Sequence, residues 1–207
     1  YDTGFPFVGK LYGNVTINAG AVLEVPPSGY FAKVYGNVLN NGTISGAGST
    51  FIMSGPSLVN NNSISSAVFN MDSTTSISGA GTFTSNEIHI MGTGNVKLLS
   101  NITVSPVNYF AVNNAGGILN PNSFTFKINS GTFYANPGSI VSNSGKVRTE
   151  GTVTLNIRNT SSFKAPLEVS TGTTNIYDTG FPYFARMYGN VTIFNNATLA
   201  VVPGYQL

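Results

Sequence analysis

Along the chain, apolar and β-branched residues come in short alternating bursts and never in long stripes. Val15-Thr16-Ile17, Phe51-Ile52-Met53, Ile88-His89-Ile90, Phe124-Thr125-Phe126 and Val153-Thr154-Leu155 each carry the period of two that half-buries a strand. Asn, Gly and Ser separate these bursts, which recur about every 6 to 12 residues. An apolar i, i+3, i+4, i+7 stripe is nowhere sustained for three helical turns; Asn113-Asn114-Ala115-Gly116-Gly117 shows how each attempt is cut. The pattern predicts an all-β chain with almost no helix.

Two repeats narrow the architecture. Phe7-Val8-Gly9-Lys10-Leu11-Tyr12-Gly13-Asn14-Val15 returns as Phe31-Ala32-Lys33-Val34-Tyr35-Gly36-Asn37-Val38, which places Tyr12 and Tyr35 23 residues apart. A coil of about 20–25 residues holds two or three short strands and their turns, and stacks on the next coil at about 4.8 Å. The spacing therefore predicts a parallel β-solenoid, or β-helix, of about eight to ten coils and about 40 to 50 Å long. Asn and Gly suit its turns, and Asn amides can form ladders between coils.

The longer repeat is more specific. Tyr1-Asp2-Thr3-Gly4-Phe5-Pro6 returns letter for letter as Tyr177-Asp178-Thr179-Gly180-Phe181-Pro182, and Tyr12-Gly13-Asn14-Val15-Thr16-Ile17 returns as Tyr188-Gly189-Asn190-Val191-Thr192-Ile193. The offset is 176 residues in both. This divides the chain into a solenoid unit over residues 1–176 and, over 177–207, either the start of a second copy or a matching terminal coil.

The Asn- and Gly-punctuated segments 13–21, 39–48 and 57–64 resemble the repeats of secreted parallel β-helices of the filamentous-haemagglutinin and autotransporter-passenger type. The resemblance covers the texture of most of residues 13–176. It implies export, an extracellular or cell-surface location, and a structural or adhesive role.

Composition removes most chemistry. Only 8% of residues are charged, about a third of the usual fraction, and the net charge of +2 is spread without a basic run. There is thus no electrostatic footprint for nucleic acid. No apolar run approaches the length of a membrane span. The chain has no Cys, and it begins at Tyr1 without an initiator Met or a signal-like start, as a processed or excerpted chain would. The acids Asp2, Glu24, Asp72, Glu87, Glu150, Glu168 and Asp178 are scattered, and His89, the only histidine, alternates with isoleucines as a half-exposed strand residue would. Gly46-Ala47-Gly48 and Gly79-Ala80-Gly81 read as turns, not phosphate cradles. No catalytic residue, metal ligand or cofactor site is expected.

Seven Asn-x-Ser/Thr sequons occur, at Asn14, Asn41, Asn61, Asn101, Asn159, Asn190 and Asn196. In a chain this rich in Asn, Ser and Thr that is close to the number chance supplies, so it marks eligible positions without arguing for glycans. What remains is assembly. The near-identical, aromatic ends, with Tyr1, Phe5, Phe7 and Tyr12 at one and Tyr177, Phe181, Tyr183, Phe184 and Tyr188 at the other, predict head-to-tail contact with other copies. The expected function is a non-enzymatic building block of an extracellular filament, sheath or adhesin. Two alternatives stay open: a carbohydrate-binding or carbohydrate-active β-helix, with surface glycans as partners, and an antiparallel β-sandwich cell-surface domain.

Overall fold

A computed structural model describes residues 8–26, 29–113, 116–136, 139–141, 144–158, 161–177 and 186–202. Every strand pairing among them is parallel, and no described residue is helical. The chain is a β-solenoid of about eight turns, as the repeat spacing predicts. The antiparallel sandwich is thereby excluded.

Each turn lays down three short strands, so the rod has three faces. The first face is an eight-stranded sheet that starts with Val15–Ile17, Val38–Asn40 and Ser57–Asn60 and ends with Ser139–Ile140 and Ser162–Phe163. The other two faces form one seventeen-stranded sheet, because Thr43–Met53 and Ser63–Met71 run through the corner between them. Val22–Glu24, Thr82–Phe83, Lys146–Thr149, Leu167–Val169 and Val191–Ile193 belong to the second face. Val8–Leu11, Phe31–Val34, Glu87–Ile90, Tyr109–Asn113, Gly131–Asn136, Gly172–Tyr177 and Ala197–Val201 belong to the third. A turn takes from 18 residues, where Thr50 pairs with Val68, to 25, where Gly172 pairs with Ala197.

Period-two alternation becomes ladders once the coils stack, since in-register parallel pairing places like positions over one another. On the second face one inward ladder runs Leu23, Ile44, Ile64, Phe83, Val104, Ile128, Thr149 and Val169. On the third, Phe51, Phe69, Ile88, Phe110, Phe133, Leu155 and Ile176 do the same. Leu23, in the first coil, is partly buried against the core; the others are buried, and all but one are apolar members of that continuous core. The exception, Thr149, is satisfied within the core by the Thr174 hydroxyl at 2.7 Å. The expected amide ladder is present as well: Asn40 Nδ2 donates to Asn60 Oδ1 at 2.8 Å, and Asn60 Nδ2 donates to the Thr82 carbonyl at 3.0 Å.

Gly46-Ala47-Gly48 departs from the sequence reading. It is not a turn but the middle of Thr43–Met53, where the register shifts against Ser63–Met71 in a bulge. Gly48 takes φ +76°, and a Cβ on Gly46 would fall 2.0 Å from Ser49 Oγ. A bulge lets the strand round a corner without giving up its partners on either side. Gly79-Ala80-Gly81, by contrast, lies outside the strands, with Gly79 at φ +102°.

Candidate functional site

Among the described residues, the two terminal coils are where strand pairing is incomplete. Among the described residues, Val8–Leu11, Val15–Ile17 and Val22–Glu24 pair only with the coil that follows. Val191–Ile193 and Ala197–Val201 pair only with the coil that precedes. Core positions open at the same places. Leu11, Val191, Ile193 and Val201 sit in inward ladders, yet are 39%, 42%, 49% and 40% exposed. Their ladder neighbours one coil in, Val34, Leu167, Val169 and Ile176, are each 0% exposed.

Of the aromatic end residues expected from sequence, Tyr12 and Tyr188 are exposed side chains of these terminal coils. Tyr177 is not an end residue: it closes the strand Gly172–Tyr177, paired with Asn156 one coil back. Tyr1, Phe5, Phe7, Phe181, Tyr183 and Phe184 lie outside the described residues.

The 176-residue repeat lands on different faces. Val15–Ile17 is a first-face strand paired with Val38–Asn40, whereas Val191–Ile193 is a second-face strand paired with Leu167–Val169. The neighbouring segments shift in the same sense. Leu11 is on the third face, and its counterpart Met187 bridges Phe163 on the first. Val22–Glu24 is on the second, and its counterparts lie in Ala197–Val201 on the third.

The densest polar cluster is on the third face around His89. Its Nε2 is 3.1 Å from Glu87 Oε2, the Tyr109 hydroxyl donates to the same carboxylate oxygen at 2.9 Å, and Asn113 Nδ2 donates to His89 Nδ1 at 2.7 Å. The ring packs edge-on to Tyr109, which packs edge-on to Tyr134. His89 is therefore nearly buried, not half-exposed, because coils 20-odd residues away along the chain supply its cover. With Asn113 donating to Nδ1, the ring proton sits on Nε2 and is given to Glu87, so neither nitrogen offers a free lone pair to a substrate.

Burial, then the bond to Glu87 and its charge, push the Tyr109 hydroxyl up to about 12 from an ordinary 10.0. The folded chain holds this proton more tightly than the unfolded one. The stabilisation is complete below pH 10 and is lost as pH rises through about 12. In a phenolate absorbance titration, one of the ten tyrosines should ionise last, and Glu87→Gln should bring it part of the way down. An unchanged titration in Glu87→Gln would remove Glu87 as a cause.

The other described acids with an ion pair meet cations. Asp72 pairs with Lys33 at 2.7 Å, and Glu150 with Lys127 at 3.4 Å. Glu168 accepts from Lys146 at 2.7 Å and from Arg148 at 2.6 and 2.8 Å. Burial alone would raise the Glu168 carboxyl; the bonds from these two cations outweigh it and hold the group below its ordinary value. Among the described residues no three of His, Asp and Glu gather into a cluster able to hold a metal. Glu24 is exposed, and Asp2 and Asp178 lie outside the described residues.

The sequon asparagines Asn14, Asn61, Asn101, Asn190 and Asn196 are exposed and Asn41 is half-buried; Asn159 lies outside the described residues. Several already bridge coils. Asn61 Nδ2 donates to Asn41 Oδ1 at 2.8 Å, and Asn101 Oδ1 accepts from the Thr125 amide at 2.9 Å. Comparison with protein families, curated proteins and solved structures finds no match for this chain.

Proposed function

We propose that this chain is a non-enzymatic structural β-solenoid, a building block of an extracellular filament, sheath or adhesin whose copies join end to end. The observation that carries the reading is the exposure of core-ladder positions at both terminal coils, whose strand edges have no partner among the described residues. An open parallel edge over an apolar core is a template for more of the same pairing. A head-to-tail contact of that kind does not close on itself, so it propagates as a fibre. The extracellular setting is supported by the resemblance in texture to secreted adhesin solenoids. Long unbranched fibres are expected by negative stain from the purified 207-residue chain. Ile193→Lys, which charges a half-exposed terminal position of the core ladder, should leave the spectrum of the fold intact and shift the protein to monomer on size exclusion. Parent chain that stays monomeric at high concentration would end the proposal.

A further inference from the structure

Resting on that end-to-end reading, we propose that each copy seats on the next with a rotation of one face about the solenoid axis. Tyr12, Gly13 and Asn14 of the incoming copy lie on Tyr188, Gly189 and Asn190 of the copy before it.

The chain already contains this contact once, because the motif Tyr-Gly-Asn-Val stacks on itself inside the molecule. Tyr35 lies on Tyr12 with ring centroids 5.0 Å apart and planes 8° from parallel. A Cβ on Gly36 would stand 2.3 Å from the Gly13 carbonyl oxygen, so the two turns touch through backbone. The Asn37 amide and Nδ2 donate to Asn14 Oδ1 at 2.9 and 3.2 Å, and Val38–Asn40 pairs with Val15–Ile17. The last coil presents the motif again at Tyr188, Gly189, Asn190 and Val191, with no described coil above it.

The first coil offers the matching underside. Gly36 and Gly189 each press on a backbone carbonyl of the coil beneath, at 2.3 Å from the position of a Cβ. Gly13 occupies the same motif position and meets nothing within 4 Å. Its lack of a side chain answers to a coil that is not among the described residues and, on this reading, is supplied by Gly189 of another copy.

The rotation follows from where the two copies of the motif lie. From Val15, first-face positions recur at Val38, Leu58, Ile77, Leu98 and onward to Met187, eight turns in all. Val191 then falls one face further on. Setting motif on motif adds one coil. Successive copies are thus related by nine and a third coils, a rise of about 45 Å at about 4.8 Å per coil, and a turn of about 120° in a three-faced rod.

The absence of Cys allows a direct test by cross-linking. Thr16 and Thr192 point outward on the strands brought into register, a neighbour geometry that a disulfide spans. Thr16→Cys/Thr192→Cys should give a ladder of covalent oligomers under mild oxidation. Val22→Cys/Thr192→Cys, which tests stacking without rotation because Val22 and Thr192 are the first and last positions of one outward second-face ladder, should not. Gly13→Ala should melt like the parent in dilute solution, yet pellet about tenfold less polymer, because its methyl meets backbone only at the junction. Linking of the Val22–Thr192 pair and not the Thr16–Thr192 pair, fibres in which neither pair links, or Gly13→Ala polymer equal to the parent would each overturn the rotated seat and leave end-to-end assembly standing. No fibres and no linking would overturn both.

Discussion

Phe133→Ala is expected to destabilise the chain by about 3–5 kcal/mol, near the upper end for a single core truncation. Phe133 is fully buried. Its ring lies 5.3 Å from Phe110 at 7° and 6.5 and 6.4 Å from Phe126 and Phe163, so it joins three coils and all three faces in one aromatic block. Removing it loses the transfer energy of the ring and leaves a cavity whose walls are strands fixed by pairing above and below, which limits collapse. Nor can a neighbouring coil slide in, since a one-residue slip would turn its apolar positions outward. A drop in the urea midpoint at unchanged slope would measure the effect. The adjacent Tyr134→Ala, on the outward side of the same strand, should cost much less. A loss below about 1 kcal/mol for Phe133→Ala, or equal losses for the two, would contradict the register and the packing derived from it.

The second large effect is expected from the smallest addition. Gly55→Ala should cost about 3 kcal/mol or more, or prevent folding, because its Cβ would stand 1.9 Å from the Gly36 carbonyl oxygen and 2.7 Å from the carbonyl carbon. The obstacle is backbone of the coil beneath, so no side-chain rotation relieves it. Gly13, Gly36 and Gly55 head the first-face strands of successive coils, and their turns are held one strand spacing apart by the pairing on either side. The spacing cannot widen at one corner without breaking ladder bonds at the next. Gly13→Ala is the internal control: the same change at the same kind of turn with nothing beneath it. Thermal melts of the three glycine variants should rank Gly13→Ala nearest the parent. If Gly55→Ala also melts like the parent, the turns do not stack as described.

What the sequence made legible was what repeats along the chain. The distance from Tyr12 to Tyr35 measured one coil, and the rings do lie face to face one coil apart. Alternation in Phe51-Ile52-Met53 and Val153-Thr154-Leu155 told strand from helix and inside from outside. What it hid depends on residues about 20 positions away that only stacking brings near. His89 is covered by Tyr109 and Asn113 from the following coil, and nothing in Ile88-His89-Ile90 announces them. Lys146, Arg148 and Glu168 form an ion cluster only because the second face sets Arg148 opposite Glu168. The face taken by the second Val-Thr-Ile was equally hidden. Alternation suits any of the three faces, and the longer path from Phe163 to Met187 decides where Val191 emerges.

The parallel pairing also sets how such a rod would carry load. Its hydrogen bonds run along the axis, so tension along the axis acts on each rung directly and on one coil at a time, not on many rungs in shear. Each coil that peels away frees roughly 20 residues, about 70 Å of extended chain, from a step of about 4.8 Å. A solenoid pulled from its ends would therefore behave less as a stiff strut than as a spool. It would yield coil by coil at nearly constant force and rewind on the coil still in place, whose exposed edge is the pattern the next one copies.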